Sequence, residues 1–415
     1  MRRASGRERM LAGLLGASHR YTFESLPRIA AEHAAHAGLD GLLIYLADLQ
    51  EESLFLVTGK GLDANADPGD EPGEIPISGT VPGRAFQHGE IVPAARDGSP
   101  SSRWWVPLLN GTERLGVLRV ATAEAKGDHA VSLMRELAGA IAVLVTAKRD
   151  VSDAHARLIR RRRMNVAAEM QWRLIPPRTF ATDRVVISAV LEPAYEISGD
   201  AFDYAVSGES VHLSIFDAMG HDAASGLTAN LAVAACRNHR RQADDLAGTA
   251  EHIEEVLCEQ FENRFATGIL SVLDTATGQL SWLTRGHHPP VIIRNGRTLR
   301  LECPPAPPMG LGLGLPGTVC HDQLEPGDRL VLYTDGITEA RSPEGREFGL
   351  ERFIDFLVRH EADGLPVPET LRRLIRHHLD YHEGRLNDDA TVLLLEWHGP
   401  APFHTGEAEA LVGLP

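Results

Sequence analysis

Hydrophobic positions change rhythm along the chain. Over residues 26–37 they recur every three or four residues, the spacing of an amphipathic helix. Over 42–47 and 53–58 they instead read as two strands around the polar turn 48–52. The Asp-, Gly- and Pro-rich stretch 63–74 reads as loop. A helix over 83–88 and strands over 104–109 and 115–121, joined at Asn110-Gly111, complete a first mixed region. The apolar run 10–17 reads as the start of a helix rather than a leader, because Glu8 interrupts the basic residues before it.

Beyond residue 128 the pattern turns helical. Met134, Leu137, Ile141 and Leu144 follow a coiled-coil-like spacing that Val151 and Leu158 extend, with Lys148, His155 and Arg162 interrupting it. Such a seam suits either a parallel dimer helix or a helix packed on its own domain. Pro176-Pro177 ends it. From there short apolar runs dominate, at 185–191, 211–216, 268–273, 280–283, 291–294, 329–333 and 391–397. Helical sequence lies between them over 223–243 and 246–263. Strands joined by tight turns such as 274–278 predict an α+β sandwich, with helices outside two largely antiparallel sheets. The expected organisation is an α+β domain over 18–127, a helical connector over 128–175, a sandwich domain over 176–398 and a disordered tail over 399–415.

Composition narrows the function. A chain of 415 residues has room for two or three cores, and its 43% hydrophobic and 24% charged content is that of a globular protein. The formal charge of -16 argues against a nucleic-acid partner. The basic run Arg160 to Arg163 reads as a solvated helix face. Cys236, Cys258, Cys303 and Cys320 form no Cys-x-x-Cys pair, so reduced thiols in a cytoplasmic protein are expected. The longest apolar stretch, 138–147, is too short to span a bilayer, so no membrane association is expected. The preference for arginine and alanine over lysine points to a GC-rich bacterial source.

Four acidic motifs carry the chemistry. They are Ser198-Gly199-Asp200, Asp217-Ala218-Met219-Gly220-His221, Thr334-Asp335-Gly336 and Asn387-Asp388-Asp389. Each aspartate sits at or beside the end of an apolar run, near a turn-forming residue. Carboxylates gathered from distant strands repel one another unless cations hold them, and hard divalent ions favour oxygen ligands. A pair of Mn²⁺ or Mg²⁺ ions is therefore expected, with Asp217 bridging and the Ala218 carbonyl adding an oxygen. Asp335, Asp388 and Asp200 supply the remaining ligands. Any one of these motifs alone is an ordinary turn; only the ordered set is specific.

That set resembles the metal-dependent protein phosphatases of the 2C type, in the bacterial branch of the stage II sporulation phosphatase and the stress-response regulators. The resemblance covers 166–397. It extends to Glu169-Met170-Gln171 with Leu174-Ile175-Pro176, to Gly286-His287-His288-Pro289-Pro290, and to Gly327-Asp328 through Tyr333-Thr334-Asp335-Gly336-Ile337-Thr338-Glu339-Ala340. It implies an α-β-β-α sandwich with metal ligands Asp200, Asp217, Ala218, Asp335 and Asp388, of which Asp217 and Asp335 are the catalytic pair. Asp389 is expected to shape the turn or hold a metal-bound water. The implied reaction is hydrolysis of phosphoserine or phosphothreonine by metal-activated water. The implied substrate is a small regulatory phosphoprotein of the anti-sigma factor antagonist type.

The first region resembles a GAF domain, through Val106-Pro107-Leu108 and Leu115-Gly116-Val117-Leu118. That implies a sensory module taking a small ligand or partner protein, in a homodimer whose connector regulates the catalytic domain through 222–263. A ligand-free packing module is the alternative. Several residues depart from the phosphatase pattern. Ser198 replaces a glycine, and Asp222 follows Gly220-His221 where glycine is usual. Thr284-Arg285 replaces Asn-Ala, and Arg285 is expected at the surface. His287 is expected to be a buried, hydrogen-bonded turn residue, and His221 to serve a helix start or packing, with general-acid action on the leaving oxygen as the alternative. Asp222 supports one rival reading, a non-catalytic phosphoprotein-binding module. A hydrolase of small phosphorylated metabolites is the other.

Overall fold

The computed structural model describes residues 5–94, 102–123, 127–196, 199–220, 222–242, 245–342, 345–362, 365–382, 386 and 388–401. Ser198, His221, Asn387 and most of the expected tail lie outside them. The chain divides into two compact units at Arg163/Met164.

The N-terminal unit opens with helix α1 (Gly6–Ala17), whose Ser5 and Glu8 form a reciprocal capping box. Helix α2 (Leu26–Ala34) ends in a short 3₁₀ turn before Gly38, which takes a left-handed φ of 73°. Strands β1 (Leu39–Ala47), β2 (Ser53–Leu56), β3 (Glu74–Pro76), β4 (Val92–Pro93), β5 (Ser102–Asn110) and β6 (Glu113–Thr122) form one antiparallel sheet. Its order is β3-β2-β1-β6-β5-β4. Helix α3 (Val81–His88) covers one face, around Phe86, Trp105 and Tyr45. The other face is covered by α1, α2 and α4 (Asp128–Arg149).

The connector does not form as one helix. After α4 the chain breaks, restarts as α5 (Asp153–Leu158) on a Ser152 cap, and breaks again. Met134, Leu137, Ile141 and Leu144 are buried in the core of the N-terminal unit, while Val151 is 83% exposed. The arginine run, read from sequence as a helix face, lies in the second break, where Arg161 pairs with Glu52 and Glu74. Helix α4 is long and apolar enough by composition to cross a bilayer, which the run 138–147 alone did not indicate. Half of its apolar window is buried within the protein.

The C-terminal unit begins with α6 (Val166–Leu174), capped by Asn165. The next elements are β7 (Thr179–Ala181), β8 (Val185–Glu192), β9 (Asp200–Ser207) and β10 (Ser210–Ala218). Helices α7 (Ala223–Arg240) and α8 (Leu246–Gln260) follow. Then come β11 (Ala266–Asp274), β12 (Gln279–Arg285), β13 (Val291–Arg294), β14 (Arg297–Arg300), β15 (Cys320–Gln323) and β16 (Arg329–Tyr333). The chain finishes with α9 (Asp335–Thr338), α10 (Leu350–Ala362), α11 (Val367–Tyr381) and β17 (Ala390–Trp397).

One sheet runs β15-β12-β11-β10-β9 and the other β14-β13-β16-β17-β8-β7, both antiparallel throughout. Alternate residues of β8, β10 and β17 (Ile187, Leu213, Leu393) meet in the core between them. Helices α7 and α8 pack on the outer face of the first sheet through Ala229, Val233, Ile253 and Leu257. Helix α11 packs on β8 of the second sheet. This is the expected sandwich.

The thiols differ from expectation. Cys303 and Cys320 form a disulfide, with their Cα atoms 5.9 Å apart. Sequence spacing hid the pair because the loop between them folds back beside β12. Cys236 and Cys258 are free.

Candidate metal centre

The acidic motifs meet where the two sheets come together. Strands β9 and β10 place Asp200 directly opposite Asp217, and β10 places Ala218 opposite Ala266 of β11. In the second sheet β16 ends at Tyr333, and Thr334 leads into α9, whose first residue is Asp335. Asp388 and Asp389 immediately precede its neighbour β17.

Hydrogen bonds stitch these ends together. Thr334 Oγ1 donates to Asp200 Oδ2 at 2.6 Å and accepts from the Thr391 amide at 2.9 Å. Asp389 Oδ2 accepts from the Gly199 and Asp200 amides at 2.6 and 3.2 Å. Asp389 thus fixes the turn, the first of the two roles expected of it. The Gln171 side chain donates to the Asp200 carbonyl, which explains why α6 carries part of the motif. Gly336 is required sterically: a Cβ there would lie 1.9 Å from the Asp389 carbonyl oxygen. A Cβ on Gly199 would lie 2.6 Å from the Ala218 carbonyl oxygen.

The electrostatics show the carboxylates converging. Burial first, and then repulsion from Asp335, Asp388 and Asp389, together push the Asp217 carboxyl up to about 7. Asp200 is 2% exposed and is held well above the usual carboxylate range, by burial first and then by Asp217 and Asp389. Thr334 and Thr391 oppose that rise through hydrogen bonds. Among the described residues no Lys or Arg forms an ion pair with Asp200, Asp217 or Asp335. A cluster of oxygen donors whose charges repel one another fits hard divalent cations.

Sequence reasoning missed two neighbours. Ligand atoms of His288, Asp335 and Glu339 lie within 4.8 Å of one another. His288 is stacked on Tyr333 with an interplanar angle of 7°. The available signals were the second histidine of Gly286-His287-His288 and the four-residue spacing from Asp335 to Glu339. The latter matters only because Asp335-Gly336, taken for a plain turn, starts a helical turn.

The departures have structural explanations. His287 is buried: Thr267 Oγ1 lies 2.7 Å from Nδ1, and Nε2 donates to the Tyr333 carbonyl at 3.0 Å. Burial lowers its pKa to about 4, so it is neutral and ties β12 to β16. Asp222 caps α7 through the Ser225 amide at 2.8 Å and pairs with both terminal nitrogens of Arg264 at 3.2 and 2.9 Å. Its carboxylate is therefore engaged locally. Arg285 is not at the surface but 1% exposed, donating to the Pro307 carbonyl at 2.8 Å and to Glu254 at 3.4 Å. The pleat of β12 turns it to the face that α8 covers, and single-residue polarity does not reveal this.

Comparison with known proteins finds similarity in the C-terminal unit. Residues 207–398 match the family model for Stage II sporulation protein E. Protein IcfG of Synechocystis sp. is 26% identical over 238 residues, covering 50% of this chain and 37% of IcfG. The chain thus spans little more than a third of that relative's length. Phosphoserine phosphatase RsbU of Bacillus subtilis is 26% identical over 249 residues, covering 56% of this chain and 69% of RsbU. Among solved structures, the SiaA PP2C domain of Pseudomonas aeruginosa is 22% identical with a TM-score of 0.49, covering 56% of this chain and 94% of that one.

Proposed function

We propose, from the match of residues 207–398 to the family model for Stage II sporulation protein E and the similarity to phosphoserine phosphatase RsbU, that the chain is a signal-regulated, metal-dependent protein serine/threonine phosphatase of the 2C type. The observation that carries this reading is the convergence of Asp200, Asp217, Asp335 and Asp388 at the joined sheet ends, close enough that Asp335 and Asp388 raise the Asp217 carboxyl. Asp200, Asp217, Asp335, Asp388 and the Ala218 carbonyl would hold two divalent cations, Mn²⁺ or Mg²⁺. When bound, such ions supply an activated water and offset charge on the phosphoryl group.

The chain's own residues set the geometry. Thr334 orients Asp200, Asp389 holds the Gly199-Asp200 turn, and neutral His287 fixes the strand end that leads to Asp335. The Cys236 thiol is unsuited to nucleophilic attack: it is buried and pushed up to about 11. The RsbU resemblance supports a phosphoserine-bearing regulatory protein, of the anti-sigma factor antagonist type, as substrate. The N-terminal unit acts as a GAF-like sensor in a homodimer, and α7–α8 transmits its state.

The test is hydrolysis of a phosphoserine peptide and of nucleotides by the full chain with Mn²⁺ or Mg²⁺, beside Asp217→Ala. The expected result is metal-dependent release of phosphate from the peptide, reduced by orders of magnitude in the variant. Turnover of nucleotides but not peptide would replace the protein substrate with a small metabolite. Turnover that survives the substitution would remove Asp217 from the centre.

A further inference from the structure

Helices α7 and α8 do not cover the first sheet evenly. Near the acidic centre, Phe216, Ala218, Leu270 and Leu283 pack tightly beneath them. Further along the same face, β10 presents His212 and Ser214 instead, and a cavity of about 260 Å³ opens between helices and sheet. Leu246, Val272 and Val319 line its apolar side.

Its polar groups are arranged for a ligand. Ser214 is 2% exposed, and its Oγ has no hydrogen-bond partner among the described residues except the weak thiol of Cys236 beside it. A buried hydroxyl in that condition is costly unless something in the cavity pairs with it. Arg240, whose side chain is 11% exposed, gives one donor to Asp203 at 3.0 Å. Asp203 is already held by Arg237 at 2.7 Å, so two guanidiniums share one carboxylate and positive charge is in excess. Opposite charge stands across the helix pair on Asp245, an exposed side chain that caps α8.

We propose that this cavity binds a small zwitterion the size of an aliphatic amino acid. Its carboxylate faces Arg240, its ammonium faces Asp245, and its hydrocarbon chain lies against Leu246, Val272 and Val319. The volume is below that of drug-sized pockets, which selects a compact metabolite. Occupancy is felt at the acidic centre because α7, which lines the cavity with Cys236 and Arg240, begins at Ala223, a few residues beyond Asp217. This second part rests on the phosphatase reading; the binding site itself does not.

The experiment is isothermal titration of the full chain with L-leucine and with 4-methylpentanoate, which lacks the amine, alongside Mn²⁺-dependent phosphopeptide hydrolysis. L-leucine should give saturable heat and change the hydrolysis rate. Ser214→Leu, which fills the cavity, should weaken both ligands by about tenfold or more. Asp245→Asn keeps the helix cap and should weaken L-leucine while sparing 4-methylpentanoate. No saturable heat with either ligand, or heat unaffected by both substitutions, overturns the site. Specific binding with an unchanged hydrolysis rate overturns the coupling. Specific binding with no hydrolysis under any condition leaves the site standing and overturns the phosphatase reading.

Discussion

Replacing Asp217 by asparagine should stabilise the metal-free protein while removing its response to metal. A carboxyl that keeps its proton up to about 7 rather than 3.8 disfavours ionisation in the fold by about 4 kcal/mol. Part of that is repulsion from Asp335, Asp388 and Asp389, which those groups share, so the amide should recover about 1–3 kcal/mol. The sign follows from the raised pKa. The folded state holds the proton more tightly than the unfolded chain, so this contribution is complete below 3.8 and is lost as pH rises through about 7. Wild type and variant should therefore converge near pH 4 and separate at pH 8, with the variant more stable.

Hydrogen exchange of the β9, β10 and β11 amides in chelator-treated full chain reads this unit alone. Adding Mn²⁺ should reverse the order. Wild type gains about 2.7 kcal/mol at a hundredfold excess over Kd, and the variant far less. A variant less stable than wild type at pH 8 without metal would refute the reasoning. Asp217 would then be making a favourable contact rather than bearing repulsion.

Three further outcomes are expected. Gly336→Ala should cost about 2 kcal/mol or more, because a Cβ 1.9 Å from the Asp389 carbonyl oxygen forces the neighbouring ends of β16 and β17 apart. Calorimetry measures the loss, and Mn²⁺ titration should show weakened metal binding alongside it. Arg285→Ala should destabilise by about 3–5 kcal/mol by leaving partly buried Glu254 without its cation, whereas Arg285→Met together with Glu254→Gln should recover much of that in urea denaturation. His287 and His378 are buried and held neutral down to about 4, so the protein should lose stability as pH falls from about 6.5 toward 4. A His378→Gln variant should show a shallower loss when melting temperature is followed across that window.

Sequence periodicity alone located most strands of the C-terminal unit, because each is apolar over several consecutive residues and bounded by turn formers. The ordered aspartates pointed to a divalent-metal centre because carboxylates gathered from distant segments repel one another unless cations hold them. What the pattern could not reach was pairing between distant segments. Strand β9 begins with Asp200 and carries Asp203, so its sequence looks like loop until Arg237 and Arg240 neutralise the second carboxylate. The Cys303–Cys320 bond, the burial of Arg285 and the meeting of His288 with Glu339 likewise depend on chain positions far apart in sequence. The intended connector broke because Ser152 and Asn165 cap new helices and the core of the N-terminal unit claimed the apolar seam of α4. Local sequence sets which conformations a segment favours, and so it determined the elements and the donor types here. Burial and charge compensation come from partners that only tertiary structure supplies, and these decided which carboxylates repel, which are paired, and where the cavity beneath α7 and α8 was left open.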